Sequence, residues 1–139
     1  VALHAIFESI ATSDDVDYAI SKAVNDGIIR QQDVRDTRIT VMERIRSVEE
    51  RGWFSDQVQL LNETPILTPE GDDYRPDRVM IYPDHKVVVV DYKFGRKKLS
   101  EYHRQVENYV RLIREMGYEN VEGYIWYSDG PVQISTSTI

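Results

Sequence analysis

The chain has 139 residues, 41% of them apolar, which is enough for one folded domain with a sizeable core but not comfortably for two. It contains no cysteine, which excludes disulfides, thiolate zinc sites, iron–sulfur clusters and a cysteine nucleophile. Its 17 basic and 24 acidic residues give a net charge of −7, so charge alone predicts a poor stand-alone binder of nucleic acid. The apolar runs are too short to cross a membrane, and we expect no membrane partner.

The first half of the sequence predicts three helices. The first covers Val1 to Ala11 and begins without a cap, the second follows the capping residues Ser13 and Asp14, and the third runs from Gln32 to Arg51. Because Val1 is not a natural first residue, we expect the chain to be a piece of a longer one. The apolar positions assigned to the three helices are, in order, Leu3, Phe7 and Ile10; Val16, Tyr18, Ile20 and Val24; and Val34, Ile39, Met42, Ile45 and Val48.

The second half changes to a period of two, which predicts strands. The predicted elements are strands at Val58–Leu67, Tyr74–Tyr82, Lys86–Lys93 and Val121–Tyr127, a short edge at Val132–Ile134, and a helix from the cap Ser100 to Met116 whose buried stripe starts at Leu99. The run Val87–Val90 is apolar at every position, which is typical of a central strand covered on both faces. The order of elements predicts an α/β (α+β) fold, in which a mixed sheet of about four to five strands is flanked by helices and preceded by an N-terminal helical segment.

Polar residues end the four-valine strand, and they indicate a site. Asp91 and Lys93 are two positions apart, so they point to the same face of the strand, about 6–7 Å from each other. If the loop between the second and third strands is Pro83–His85, Tyr82 faces Lys86 and Asp77 lies directly opposite Asp91. Opposed side chains have Cβ atoms about 4.5–5.5 Å apart. A loop one residue shorter or longer would put the two carboxylates on opposite faces.

Two carboxylates at that separation repel each other unless a positive charge lies between them. Magnesium or manganese is the natural candidate, because both prefer hard oxygen ligands. Lys93 cannot be a ligand, but it can orient or deprotonate a water and stabilise a developing charge. The pattern therefore favours metal-assisted phosphodiester hydrolysis by Asp77, Asp91 and Lys93. The alternative is an ordinary ion-pair cluster at the edge of a sheet.

Five elements in the same order resemble the PD-(D/E)xK nuclease core. More specifically, they resemble the C-terminal nuclease domain of RecB- and AddA-type, UvrD/Rep-like helicase–nucleases, which process double-strand DNA ends for recombination. The elements are Leu3-His4-Ala5-Ile6-Phe7, Glu63, Pro76-Asp77, Asp91-Tyr92-Lys93-Phe94-Gly95 and Gln105-x-x-x-Tyr109. The resemblance runs from about Leu3 to Tyr127 and implies a restriction-endonuclease-like fold. Two positions depart from it: Phe94 replaces the usual Thr, and Arg75-Pro76 replaces a common Gly-x.

The resemblance implies a set of metal ligands. Asp77, Asp91 and His4 would hold Mg²⁺ or Mn²⁺, with the backbone carbonyl of Tyr92 as a further ligand, and Lys93 would position the attacking water. Manganese suits a site with one nitrogen ligand as well as magnesium does, or better. Taken alone, His4 would be an ordinary packed or surface histidine.

Glu63 has several open roles. It falls where the family often has an acidic residue, and it can approach the metal directly, hold a ligating water, or pair with Arg75 or Arg78.

The remaining elements of the resemblance imply contacts with DNA. Gln105 and Tyr109 lie four apart, hence on one face of a helix, where the family uses them to support the site and touch the strand. The alternative is that Tyr109 is core and Gln105 a boundary residue. The triplet Arg96-Lys97-Lys98 follows Lys93 and is well placed to meet phosphates, although a basic triplet is often just solvated.

The resemblance also implies partners, and it leaves alternatives open. We expect a metal-dependent exo- or endodeoxyribonuclease of the bacterial cytoplasm and nucleoid, formed by residues 1–139 as a single domain. Single-stranded ends would reach it through ATP-dependent helicase domains of the same chain, with a RecC- or AddB-like subunit as a further partner. This delivery would answer the objection raised by the acidic charge. The alternatives are a catalytically silent docking module of a recombination or repair complex, and another nuclease of the same fold. An iron–sulfur exonuclease is excluded by the absence of cysteine, and a junction resolvase is usually basic and dimeric.

Overall fold

The computed structural model describes residues 2–61 and 75–134. The chain divides into two compact units, Val1–Val58 and Gln59–Ile139. The first is helical and the second contains the sheet, so the fold is the predicted mixed α/β arrangement with an N-terminal helical segment. That residues 1–139 act as a single domain stays a prediction. Among the described residues, no helix has the length and apolar character needed to cross a bilayer.

The N-terminal unit contains the three predicted helices, each shorter than the sequence indicated. They are α1 (Ala2–Glu8), α2 (Val16–Asn25) and α3 (Val34–Ser47), and 3₁₀ turns lie at Ser13–Asp15, Gln31–Asp33 and Glu49–Arg51. Helix α2 packs against both α1 and α3. Arg38 of α3 donates from Nε to Oδ1 of Asp17 on α2 at 2.8 Å. The 3₁₀ turns account for the shorter helices, because such turns commonly form at helix ends.

Three of the apolar positions assigned to buried helix faces are wrong. Tyr18 is 65% exposed, Ile39 49% and Leu99 42%. The faces that the structure buries keep the three-and-four spacing of a helix, at Val16, Ala19, Ile20 and Ala23 in α2 and at Val41 and Ile45 in α3. Tyr18 and Ile39 are each two positions away from a buried residue of their helix, which rotates them toward solvent.

The predicted helix caps also differ from the structure. Ser13 and Asp14 lie in a 3₁₀ turn before α2, and the Asp15 carboxylate instead accepts from the backbone N–H groups of Ala11 and Thr12, both at 3.0 Å. The other predicted cap, Ser100, is the first helical residue of its helix, and the extended residue before it is Leu99. The helix starts were therefore correct to within a few residues, while the capping groups were not.

In the part of the second unit that the structure describes, five strands form a mixed sheet in the order β1-β2-β3-β4-β5. Its elements are β1 (Gln59–Leu60), β2 (Arg78–Ile81), β3 (Val87–Tyr92), α4 (Ser100–Glu115), β4 (Val121–Tyr127) and β5 (Gly130–Ile134). β3 pairs parallel to β4, and the other neighbours pair antiparallel. Every residue of β3 is buried, as its four valines predicted. The parallel pair is connected through α4, as parallel neighbours require.

Helix α4 packs on one face of this sheet. Its buried stripe, which includes Val106, Val110 and Ile113, joins one cluster with Val87 and Val89 of β3. The helix approaches the strand closely at Gly123 on β4, where an added Cβ would lie 2.6 Å from Cγ1 of Val106 and 2.9 Å from Cγ2 of Val110. A residue without a side chain at this position therefore lets Val106 and Val110 of α4 lie directly against β4.

Candidate metal centre

The hairpin of β2 and β3 has the register that the sequence predicted. The pairs run from Ile81 opposite Val87 to Arg78 opposite Val90. The backbone N–H of Tyr82 donates to the carbonyl of Lys86 at 2.9 Å, so the loop is Pro83–His85. His85 has φ = +71°, the left-handed conformation expected at the last position of a three-residue hairpin loop.

This register brings Asp77 and Asp91 together at the open end of the hairpin. The Asp77 N–H donates to Oδ1 of Asp91 at 3.2 Å, and the Tyr92 N–H donates to Oδ2 of Asp77 at 2.8 Å. Each carboxylate is thus oriented by a backbone donor of the opposite strand. Backbone donors hold a carboxylate without side-chain entropy, so the strand pairing itself orients the two acids.

Lys93 completes a compact set of charges with these acids. Its Nζ lies 3.6 Å from Oδ2 of Asp91, whose side chain is 2% exposed, while the Lys93 side chain is 18% exposed. Asp77 is only partly buried, and Arg78, the residue that follows it, is 1% exposed. Paired carboxylate oxygens of this kind can bind a divalent cation, so the metal site stays a prediction.

Helix α4 places an aromatic ring beside Lys93. Nζ of Lys93 lies 4.9 Å from the ring centroid of Tyr102, within the range of a cation–π contact. Tyr109 is 3% exposed and belongs to the core cluster, as the core interpretation predicted. Burial raises the pKa of Tyr109, and the nearby positive charge of Arg75 lowers it in part. Gln105 is exposed on α4, and its contact with DNA stays a prediction.

The three basic residues after Lys93 do not share one environment. Arg96, Lys97 and Lys98 are all exposed, in a loop between β3 and α4. Lys98 donates from Nζ to Oδ2 of Asp129 at 3.1 Å and lies 5.4 Å from the ring centroid of Tyr127. Their contact with phosphates stays a prediction for all three residues.

On the opposite face of β3, three aromatic rings pack beneath the same strand end. Tyr92 stacks on Phe94 with centroids 5.6 Å apart and an interplanar angle of 12°, and Trp126 meets both rings edge-on. Phe94, which replaces the usual Thr of the family, is 8% exposed and belongs to this aromatic group. The ligand role of the Tyr92 backbone carbonyl stays a prediction.

The predicted histidine ligand belongs to the N-terminal unit. His4 lies on α1, and its Nδ1 is 3.1 Å from Oε1 of Glu8, one helical turn further on. In many metalloproteins a carboxylate in a comparable position orients a metal-binding imidazole. Glu8 is 56% exposed, and its pairing with His4 has the four-residue spacing of neighbours on one helix face. The predicted joining of His4 with Asp77 and Asp91 stays a prediction, and Glu63 lies outside the described residues.

Two residues that contact the segment from Lys93 to Gly95 could not be assigned to it from the sequence. Tyr102 is one of several aromatic residues of an amphipathic helix, and nothing in the sequence assigns it to Lys93. Ser128, whose Oγ accepts from the Gly95 N–H at 2.7 Å, lies 33 residues away from its partner.

Comparison with known proteins gives no match to a family model, to a curated protein or to a solved structure.

Proposed function

We propose that this chain is a metal-dependent deoxyribonuclease domain of the RecB and AddA type, which hydrolyses DNA phosphodiester bonds during the processing of double-strand ends. The observation that carries the proposal is the pairing of Asp77 with Asp91 across the hairpin, with Lys93 beside them. An ordinary surface ion pair would need one acid and one base. Two backbone-oriented carboxylates side by side, with a lysine next to them, supply the pair of hard oxygen ligands that a divalent cation binds.

The donor set suits magnesium or manganese. Asp77 and Asp91 offer hard carboxylate oxygens, and the resemblance adds the His4 nitrogen and the Tyr92 carbonyl. A divalent cation held by these groups would polarise the scissile phosphate and lower the pKa of a bound water. Glu8 would orient the His4 ring through its contact with Nδ1.

Lys93 is the residue that acts on the water and on the phosphate charge. Its ammonium is held between the Asp91 carboxylate and the Tyr102 ring, so its position is set before substrate binds. From there it can donate a hydrogen bond to an attacking water or to a phosphate oxygen that gains charge. The exposed residues Arg96 and Lys97 would bind the neighbouring phosphates.

The test is cleavage of end-labelled single-stranded DNA by the 139-residue chain with Mg²⁺ or Mn²⁺. We expect cleavage that stops with chelator and falls by at least about 100-fold in Asp91→Asn and in Lys93→Met. The matched controls are Asp84→Asn and Lys86→Met, which change the same residue types at the other end of the same hairpin and are expected to keep activity.

A second measurement separates binding of the metal from chemistry. Calorimetric titration with Mn²⁺ should show one or more sites in the native chain, with weaker binding in Asp77→Asn and Asp91→Asn but retained binding in Lys93→Met. Cleavage that survives both Asp91→Asn and chelator would contradict the proposal. Metal binding without cleavage would instead favour the docking module.

A further inference from the structure

We infer that the Ser128–Asp129 turn after β4 is a positioning element, which holds the Lys93 side chain and the basic loop after it in place. The inference rests on the proposed function for its catalytic consequence, but its structural part is independent of that function. Ser128 and Asp129 would act through Lys93 and Lys98.

The first observation is the turn that begins at Lys93. The Arg96 N–H donates to the carbonyl of Lys93 at 3.1 Å, and Gly95, the third residue of this turn, has φ = +74°. Such a turn needs a residue that tolerates the left-handed region, which glycine supplies. Lys93 is therefore both the last residue tied to the sheet and the first residue of a tight turn.

The second observation is what fixes that turn. The Lys93 N–H still donates to the carbonyl of Trp126 at 2.9 Å, which continues the parallel pairing one step beyond β3. Two residues later the Gly95 N–H donates to Oγ of Ser128 at 2.7 Å. Beyond the last backbone hydrogen bond between the two strands, a side-chain hydroxyl therefore supplies the acceptor. The direction of the chain on leaving Lys93 is set by this hydroxyl.

The third observation concerns the far end of the loop. Lys98 binds Asp129 at 3.1 Å and covers the Tyr127 ring at 5.4 Å, so residues 95 and 98 are both attached to the end of β4. Both side chains of the ion pair are more than half exposed, and such a pair alone contributes little stability. Together with the Gly95 bond, however, it attaches the loop at two points and leaves Arg96 and Lys97 between them.

Lys98 therefore differs from its neighbour Lys97 in that it attaches the loop to the end of β4. Both are exposed lysines in the same loop, which makes them a matched pair. If the triplet acted by charge alone, Lys97→Ala and Lys98→Ala would weaken DNA binding equally. If Lys98 holds the loop, its loss also lowers kcat, because Lys93 is then less well placed.

The deciding experiment is an NMR measurement on the Lys93 side chain, which needs no catalysis. The Tyr102 ring should shift the resonances of the Lys93 methylene protons near Nζ. We expect Ser128→Ala to reduce this ring-current shift and to accelerate hydrogen exchange at the Gly95 amide. Ser128→Thr keeps the hydroxyl and should restore both. An unchanged Lys93 shift in Ser128→Ala overturns the inference, whether or not the chain cleaves DNA.

Kinetics supply the second readout. Ser128→Ala should lower kcat by about 3- to 10-fold with little change in KM, since one hydrogen bond is lost and the DNA-binding groups remain. Asp129→Asn should also lower kcat. Glu119→Gln is the control: it removes an acidic charge just before the start of β4 and should not lower kcat. If Asp129→Asn and Glu119→Gln both raised the activity by the same factor, Asp129 would act only as a negative charge that repels DNA. That result would overturn its positioning role.

Discussion

The Tyr127 side chain is 2% exposed, and its hydroxyl has no hydrogen-bond partner among the described residues. A buried hydroxyl without a partner destabilises a fold by about 1–3 kcal/mol. We therefore expect Tyr127→Phe to raise the free energy of unfolding by about 1 kcal/mol at pH 7, measured by urea denaturation. The ring that Lys98 contacts is preserved in this variant, so the loop should be unaffected. A loss of stability would mean that the hydroxyl has a partner outside the described residues.

The same residue predicts a loss of stability in alkali. Burial raises the pKa of both Tyr127 and Tyr109 above the ordinary value of 10.0. Above that value the unfolded chain releases these protons before the folded chain does. The folded chain then binds more protons than the unfolded chain, so its stability falls as the pH rises. The free energy of unfolding is therefore unaffected by these two titrations below pH 10, and it falls as the pH rises through the raised pKa values of the folded chain. In Tyr109→Phe/Tyr127→Phe the decline between pH 9 and pH 11 should be shallower, with Tyr18→Phe at an exposed site as the control.

At the scale of elements, the hairpin and β4 show what a sequence can predict. The register of β2 and β3 follows from the period of two and a three-residue loop, both of which are local, and β4 has the predicted bounds Val121–Tyr127. The bond from Gly95 to Ser128 was not predictable. Ser128 and its neighbours indicate a turn, but a turn sequence does not say which distant loop lies against it.

The contact between α4 and β4 depends on Gly123. Its missing side chain lets Val106 and Val110 approach the strand, so a methyl group there would overlap both valines. We expect Gly123→Ala to destabilise the chain by about 1–3 kcal/mol, measured by thermal or urea unfolding. Val106→Ala removes the closest methyl groups, and the double variant Gly123→Ala/Val106→Ala should cost less than the two single changes together. Strict additivity would contradict the close approach.

At the scale of the whole molecule, charge limits how the chain can bind DNA. The net charge of −7 opposes binding to a polyanion. Arg96 and Lys97, with Lys98 shared with Asp129, are the described cations of the loop beside the site. Affinity for single-stranded DNA should thus depend on two or three phosphate contacts.

This number of contacts fixes the salt dependence. For single strands the slope of log K against log salt is about −0.7 per contact, so we expect a slope of about −1.4 to −2.1 and a loss of affinity of about 10-fold between 50 and 200 mM salt. Lys97→Ala should reduce the slope by about 0.7, whereas Lys86→Ala, at the far end of β3, should leave it unchanged. Fluorescence anisotropy of a labelled strand in chelator, where no cleavage occurs, measures both. A slope of about −4 or steeper would show that other cations bind the strand, and a slope unaltered in Lys97→Ala would remove the loop from the DNA surface.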